Sequence, residues 1–321
     1  MDLEWNQNPY GNSKRRVDLN FEIIEIGAVK LDDNLNYVDK FSQVIKPKVF
    51  KKLHYKTAEI THFTNDELKK GKSFPKVMRQ FLEWCGDDYI FCTWGAMDLH
   101  ELQANMKFFG YERILDFPLF YYDLQKIFSL CYEDGKNKRN LTSAVEFLNI
   151  NGNKEFHRAL SDAYYTAKVM QKMDFEKFKK RVSIDTYYYP RIKEEEIFVS
   201  FGDYNKRISR EMWSKTELFE DDDFNNICCS KCNKKVKVLI DWFSDSGKTY
   251  YSLGKCRKHG YVKGRIRVKK IDRLSFFVIK ILKNTDKDGA RKIVEKQNSI
   301  REKRREKRQR ILDREIVIEE L

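Results

Sequence analysis

The chain has 321 residues, and its 63 Lys and Arg against 49 Asp and Glu give a formal net charge of +14. A hydrophobic fraction of 41% supports a packed core and excludes a wholly disordered chain. The sequence has no apolar run near the roughly 20 residues that span a membrane and no signal-peptide pattern at its start. It therefore predicts a cytoplasmic protein whose positive charge attracts a polyanion.

Residues 1–180 are predicted to form one α/β domain in which helices pack on a mixed sheet. Apolar and β-branched residues predict a strand over residues 21–29, and a turn at residues 32–34 leads into a second strand over residues 37–45. Helix-start signals and the spacing of apolar residues predict the later elements, which are a helix start at 64–67, a strand at 89–94, and helices at 74–84, 98–109, 141–148 and 159–173.

The rest of the chain is predicted to hold three segments of different character. Residues 181–225 are polar and irregular, which indicates a connector, and residues 226–270 alternate like a hairpin around Gly247 in a small zinc-ribbon-like β domain. Residues 271–321 are predicted to form a charged helical tail. Its cations at 301–310 are interspersed with glutamates, so the tail fits either contact with a polyanion or a solvent-exposed helix.

Four acidic side chains are candidates for a metal site in the first domain. Asp2 and Glu4 lie two apart in a predicted strand, so they share one face about 6.6 Å apart. Asp98 follows a predicted strand, where α/β sheets place functional groups, and Asp162 lies on a helix behind His157. If the four acids converge, they can hold two hard divalent ions that activate a water and stabilise the leaving oxygen of a phosphodiester. His157 would be the general base, because imidazole titrates near neutral pH. The alternative is that all four are ordinary surface acids.

Three segments, in this order, resemble the motifs of the DEDDh 3′-to-5′ exonucleases, a family with the ribonuclease H-like fold. The first is Asp2-Leu3-Glu4 followed by residues 25–28, the second is residues 94–98, and the third is residues 156–163. His157 precedes Asp162 by five residues, which is the spacing of the histidine subtype, whereas the tyrosine subtype would need tyrosine in place of Arg158. The resemblance implies a ribonuclease H-like mixed sheet flanked by helices.

The resemblance also implies roles for individual residues. Asp2, Glu4, Asp98 and Asp162 would bind two Mg²⁺ or Mn²⁺ ions, and His157 would be the catalytic base. These roles follow from the family's motifs, and they agree with the chemistry expected of hard oxygen ligands beside an imidazole.

Substrate contacts are implied at three further positions. The backbone near Trp5 and Asn6 would hold the 3′-terminal nucleotide, and Phe63 would stack on the terminal base, with a core phenylalanine as the alternative. Many relatives have glycine in place of His62. In the family, several apolar residues precede the first acidic motif, whereas here only Met1 does, so we expect the natural chain to begin a few residues upstream.

Two pairs of metal-binding residue types lie in the second half of the chain. Cys229 and Cys232, and likewise Cys256 and His259, are separated by two residues. Paired knuckles of this kind supply four ligands for a tetrahedral, structural Zn²⁺. Cys228 could replace Cys229 but would change the spacing. The alternative is reduced cysteines in a small core, although a unit of about 45 residues is rarely stable without a disulfide, a structural metal or a similar constraint.

Together these features predict a metal-dependent 3′-5′ exonuclease whose basic β domain holds single-stranded nucleic acid. Lysines and arginines around the ribbon alternate with aromatic side chains such as Trp242 and Tyr251, which suits phosphate contact and base stacking. The opening Asp-Leu-Glu-Trp-Asn is closer to relatives that act on RNA, so RNA is slightly favoured over DNA. Two alternatives stay open, an inactive nucleic-acid-binding protein and a regulatory factor that binds a protein partner. The sequence does not indicate an oligomeric state.

Overall fold

The computed structural model describes residues 1–8, 18–152 and 156–319, with side chains to residue 310. It divides into two compact units, Met1–Tyr188 and Tyr189–Leu321. The division falls inside the segment that the sequence predicts to be a connector. Among the described residues, no helix has the length and apolar character that crossing a membrane requires.

In the first unit, the described residues form six strands in two three-stranded groups. Strands β1 to β3 pair antiparallel in the order β1-β2-β3, and their bounds are Asp2–Gln7, Phe21–Leu31 and Tyr37–Val44. In the second group β5 pairs parallel with β4 and antiparallel with β6, and the bounds of β4 to β6 are Phe91–Thr93, Phe120–Asp123 and Ser183–Ile184. The amino group of Met1 donates a hydrogen bond to the carbonyl of Cys92 at 2.9 Å, so the start of β1 lies beside β4.

Across residues 18–152 and 156–188, seven α-helices accompany these strands, and they are named α1 to α7 in chain order. Their bounds are Tyr55–Thr61, Asn65–Lys70, Phe74–Cys85, Met97–Phe108, Leu124–Tyr132, Leu141–Phe147 and Ala159–Lys172. The start of α2 is fixed by a capping box between Thr64 and Glu67, and α3 buries the apolar positions that predicted it, including Phe74 and Phe81. The two groups of strands and the helices around them confirm the predicted α/β class of this unit.

The contact between α7 and β2 depends on Gly27. A Cβ atom at this position would lie 2.1 Å from the carbonyl carbon of Ala159 and 2.1 Å from the nitrogen of Leu160. Only glycine lets the two backbones approach this closely. The first turn of α7 is therefore held directly against the sheet, next to the strand that carries Asp2 and Glu4.

The second unit is built on one six-stranded antiparallel sheet with the order β7-β8-β12-β11-β10-β9. Strands β7 to β12 are Ile197–Ser200, Tyr204–Ile208, Lys237–Phe243, Thr249–Cys256, Gly260–Lys270 and Phe276–Thr285. Helices α8 to α10 are Lys215–Glu220, Asp222–Asn225 and Lys287–Glu319. The predicted hairpin around Gly247 is present as β9 and β10.

The secondary structure of the second unit differs from the prediction in two places. The segment 181–225, expected to be irregular, contains β7, β8 and α8, and the segment expected to be helical from residue 271 contains β12. The reason for the second miss is Lys280, which interrupts the apolar pattern although it is only 3% exposed. Its Nζ donates to the carbonyls of Asp223 and Asn226, which satisfies the buried ammonium inside the sheet.

Candidate functional site

Three of the predicted acidic side chains converge at one end of β1. Carboxylate oxygens of Asp2, Glu4 and Asp162 all lie within 4.8 Å of one another. Asp2 and Glu4 share one face of β1 because strand side chains alternate, and Asp162 comes from the first turn of α7. The close approach at Gly27 brings this turn to the strand.

The fourth acid, Asp98, is bonded to the backbone between the first two. Its Oδ1 accepts a hydrogen bond from the N–H of Leu3 at 3.1 Å, and the residue is 5% exposed in the first turn of α4. It lies outside the group of three whose oxygens are within 4.8 Å of one another. In the turn that leads into α4, Gly95 has a φ of +103°, in the left-handed region that favours glycine.

All four carboxyl groups have raised pKa values, which means that the site opposes their charge. Burial, followed by the neighbouring Asp98, Glu4 and Asp162, raises the pKa of Asp2 well above its ordinary value. Burial and then Asp162 and Glu25 raise the pKa of Glu4 to about 8. Burial also raises the pKa of Asp98 to about 6 and raises that of Asp162. A cation bound among these oxygens would reverse this penalty.

The donor set fits a divalent ion. Oδ1 of Asp162 is buried and has no hydrogen-bond partner among the residues that the structure describes. A buried carboxylate oxygen without a partner is costly, and a metal ion is one of the few groups that satisfies it. Mg²⁺ and Mn²⁺ prefer carboxylate oxygens, so Asp2, Glu4 and Asp162, with Asp98 beside them, match the predicted ligand types.

His157 lies immediately outside this acidic group. Its backbone N–H donates to Oδ2 of Asp162 at 3.1 Å, and its φ is +68°. The residue is exposed, so the imidazole is open to solvent beside the carboxylates. This placement suits a side chain that exchanges a proton with a bound molecule.

Sequence reasoning missed the support that Glu25 and Arg158 give to the start of α7. Glu25 is 2% exposed and accepts from Nε of Arg158 at 3.2 Å, from Nη2 at 3.0 Å and from the N–H of Ala159 at 3.0 Å. One carboxylate thus fixes both the residue after His157 and the first residue of α7. The signal was present in the sequence, since Glu25 interrupts the otherwise apolar run of residues 23–29 between Ile24 and Ile26.

The side chain of Asn6 is fully used within the protein. Asn6 is 0% exposed, and its Nδ2 donates to the carbonyls of Phe50 and Lys52 at 2.8 and 3.0 Å. Its Oδ1 accepts from the N–H of His54 at 2.9 Å. The amide therefore ties the loop at residues 50–54 to β1. The half-buried Trp5 precedes it, and substrate contact by the backbone at these two positions stays a prediction.

Phe63 is placed as a core side chain. It is 4% exposed and packs with Ile24, Leu53 and Leu68, while the guanidinium of Arg158 lies 4.3 Å from its ring centre. This environment matches the core alternative, because little of the ring is open to a base. The preceding residue, His62, caps the C-terminus of α1 with a φ of +58°, in the left-handed region that favours glycine.

A second cluster of metal-binding side chains lies in the second unit. One ligand atom from each of Cys229, Cys232, Cys256 and His259 lies within 4.8 Å of the others. The sulfur atoms of Cys232 and Cys256 are 3.8 Å apart, and Nδ1 of His259 is 3.4 Å from the sulfur of Cys229. A tetrahedral Zn²⁺ with bonds of about 2.3 Å to sulfur requires a sulfur–sulfur separation of about 3.8 Å. The cluster therefore has the dimensions of a tetrahedral metal site.

Backbone contacts prepare this cluster for a cation. Hydrogen bonds from the N–H groups of His259 and Lys258 lower the pKa of Cys256 to about 6, which favours the thiolate that binds metal. Cys228 is not in the cluster. Its backbone instead pairs with that of Lys235 in an isolated antiparallel β-bridge. The structure thus gathers Cys229 rather than Cys228, as the spacing predicts.

Comparison with known proteins relates the first unit to exonucleases. A family described as Exonuclease matches residues 15–170. The DNA polymerase III PolC-type of Clostridium perfringens is 32% identical over 165 residues, which are 51% of this chain and 11% of the polymerase. The probable 3′-5′ exonuclease KapD of Bacillus subtilis is 30% identical over 161 residues, which are 49% of this chain and 75% of KapD. The solved nuclease domain of 3′hExo, a DEDDh family member bound to rAMP, has a TM-score of 0.48 and 20% identity, covering 57% of this chain and 93% of that domain.

Proposed function

Because the chain belongs, through its N-terminal half, to the family of DEDDh 3′-5′ exonucleases, we propose that it removes nucleotides from the 3′ end of a single-stranded nucleic acid by hydrolysis. The observation that carries this proposal is the meeting of Asp2, Glu4 and Asp162, with Asp98 bonded beside them. Their raised pKa values and the unpartnered Oδ1 of Asp162 support a site built around cations.

Two divalent ions, Mg²⁺ or Mn²⁺, would be held by Asp2, Glu4, Asp98 and Asp162. Such ions, when bound, lower the pKa of a water and neutralise charge on a phosphodiester. The protein's own side chains hold the acids in position for this chemistry. Asp98 holds the backbone of β1 through Leu3, so that the two acids of the strand keep their position relative to α4.

His157 is the proposed general base. Its imidazole is exposed next to the acids, and its backbone is fixed by the bond to Asp162. In this position a ring nitrogen can take the proton of the attacking water. Glu25 and Arg158 hold the turn on either side of it, which limits movement of the imidazole away from the acids.

The second unit is proposed to hold substrate, with Zn²⁺ as a structural ion bound by Cys229, Cys232, Cys256 and His259. All four positions of a tetrahedral ion would be filled by protein, which is the pattern of structural rather than catalytic zinc. RNA remains the favoured substrate over DNA because of the opening Asp-Leu-Glu-Trp-Asn, and a cytoplasmic location remains a prediction from the sequence.

The test is a nuclease assay on matched RNA and DNA oligonucleotides with free or blocked 3′ ends, with Mg²⁺, Mn²⁺ or neither. The parent should shorten free 3′ ends only when a divalent ion is present. Asp98→Ala should abolish cleavage, and His157→Ala should slow it by roughly a hundredfold or more while metal binding persists. Asp66→Ala is the control, because Asp66 makes only an exposed ion pair with Lys69. Equal cleavage by the parent, Asp98→Ala and His157→Ala would overturn the proposal.

A further inference from the structure

One face of β11 carries a row of cations. Lys263, Arg265 and Arg267 occupy alternate positions, and the residues between them, Gly264 and Ile266, are buried. Alternate residues of a strand point to the same side and lie about 6.6 Å apart. The three side chains therefore form a straight row of positive charge on the outer side of the sheet.

Helix α10 supplies a second row beside the first. Ala290 and Ile293 bury the helix against Leu253 of β10. This packing leaves Lys292 and Lys296 exposed, at positions one turn apart on the helix. We call the five residues Lys263, Arg265, Arg267, Lys292 and Lys296 the cationic surface.

Two contacts show that the rows are neighbours. Nζ of Lys296 lies 4.2 Å from the ring centre of Tyr251, and Tyr251 is directly opposite Arg265 in the pairing of β10 with β11. At the other end of the surface, the charge of Lys292 acts on Lys263. Lys296 of the helix and Arg265 of the strand thus meet at the half-buried ring of Tyr251.

None of the five cations has a direct ion-pair partner among the described residues, because no carboxylate lies within 4.0 Å of their charged nitrogens. Compensation comes from a greater distance, where Asp286 favours the charged form of Lys263 and Lys296 favours that of Asp245. Other cations of the same unit are paired, as Lys193 and Arg210 are with Asp221 and Glu196. Burial and then Lys283 lower the pKa of Lys263, and burial and then Arg267 lower that of Arg265. An anion bound here would relieve this repulsion.

We infer that the cationic surface binds consecutive phosphates of a single-stranded nucleic acid, with Tyr251 available to contact a base. The inference rests on the proposed function and names the part of the second unit that holds the strand. A row of cations matches a polymer that carries one charge per repeat, and an aromatic ring among the cations suits a strand whose bases are unpaired. The lysines of the cysteine knuckle, at Lys231, Lys234 and Lys235, lie outside this surface.

The test compares two triple variants with equal loss of charge, both carrying Asp98→Ala so that binding is measured without cleavage. One is K263Q/R265Q/R267Q, and the control is K231Q/K234Q/K235Q, whose lysines are exposed in the same unit. Affinity for a labelled single-stranded oligonucleotide is measured over a range of salt concentrations. Each lost phosphate contact should reduce the slope of log affinity against log salt by about 0.7, so the first variant should lose about 2. The control should keep the slope of the Asp98→Ala protein.

A second pair of measurements protects the test against misfolding. K292E/K296E changes the part of the cationic surface that α10 contributes and should also weaken binding. Thermal melting and metal analysis show whether each variant is folded and contains its metal. The inference fails if K263Q/R265Q/R267Q, folded, binds as the control does, or if polyglutamate displaces the oligonucleotide as well as unlabelled oligonucleotide does. Because binding is measured without cleavage, the binding result can be interpreted even if the chain proves to lack exonuclease activity.

Discussion

Glu4 and Glu25 lie directly opposite each other on β1 and β2 and form a cross-strand pair of acids at the edge of the candidate metal site. Glu25 is neutralised by Arg158 at 3.0 Å, whereas no cationic side chain of the described residues lies within 4.0 Å of Glu4. Like charges at opposed positions destabilise a sheet. The protein thus compensates one member of the pair itself, and under the proposed function a bound ion would compensate the other.

The stability of the metal-free protein should fall as pH rises. The pKa of Glu4 is raised to about 8 and that of Asp98 to about 6, so between about pH 4 and about pH 8 the folded state binds more protons than the unfolded state. The stabilisation that comes from these protonated groups is present at low pH and is lost as pH rises through the folded pKa values. Melting temperatures across this range, without divalent ions, measure the effect.

The matching result is that Mn²⁺ or Mg²⁺ should raise the melting temperature more at about pH 8 than at about pH 5, because ions bind the deprotonated carboxylates. Glu4→Gln serves as control, since it removes a titrating group and should flatten the pH dependence. An equal metal effect at both pH values would contradict the assignment of these acids as ligands.

Glu25→Gln should slow cleavage more than it weakens binding of substrate. Glutamine keeps an acceptor for the N–H of Ala159 but loses the ion pair with Arg158, so the turn that carries His157 becomes less well held. Loss of a group that orients metal ligands typically costs roughly ten- to a hundredfold in activity. The measurement is kcat and KM with a short oligonucleotide.

Glu22→Gln is the matched control for this change. Glu22 is on the same strand, is 1% exposed, and accepts from the N–H groups of Lys48, Val49 and Phe50, away from α7. Both variants should lower the melting temperature. Glu25 would have a purely structural role if the two variants lost kcat to the same extent, and restoration of activity in Glu25→Asp would support the positioning role.

Gly27→Ala should destabilise the first unit and reduce its activity together. The added methyl would lie 2.1 Å from backbone atoms of Ala159 and Leu160, so α7 must shift and carry Asp162 with it. Overpacking of this kind costs about 2 kcal/mol or more. Gly110→Ala is the control, because its Cβ would meet nothing within 4 Å and its cost is limited to the φ of +83°. Melting curves and cleavage rates should separate the two variants, and Gly27→Ala with parental values would contradict the close contact.

Cys256→Ser should remove the metal of the second unit, whereas Cys228→Ser should not. Cys256 is in the ligand cluster, and Cys228, although next to Cys229, is outside it. Zinc content per chain and the charge-transfer absorption of a Co²⁺-substituted sample report the loss directly. Structural zinc contributes to folding, so Cys256→Ser should also lower the melting temperature of the unit. Equal loss of metal in both variants would mean that the ligand set is different.

Site residues that belong to a short sequence motif could be predicted from the sequence. Residues that support the site through contacts with distant parts of the chain could not. The spacing of Asp2 and Glu4, of His157 and Asp162, and of the cysteine pairs belongs to short motifs of the sequence. The structure brings Asp2, Glu4 and Asp162 together, with Asp98 bonded beside them, and gathers the four cysteine and histidine side chains of the second cluster. The hydrogen bonds of Asn6 to a loop some 44 residues away carry no local signal. Nor does the partner of Glu25, which is separated from it by 133 residues.

The missed strand β12 has a related cause. Its alternation is hidden by Lys280, a charge on the inner side of the sheet whose partners are two carbonyls more than 50 residues away. Burial lowers the pKa of Lys280 to about 7. Sequence patterns predict that a lysine faces solvent. They therefore do not predict a buried ammonium whose hydrogen bonds are made to backbone oxygens.

The hydrogen bond from the N–H of His157 to Asp162 has a consequence for coordination. It engages Oδ2, so Oδ1, which is buried without a partner, is the oxygen that Asp162 would most readily offer to an ion. An ion that took a single oxygen from Asp162 would keep room for exchangeable solvent or phosphoryl oxygens. The same bond that fixes the backbone of the histidine would therefore also influence how open such an ion is to the incoming chain end.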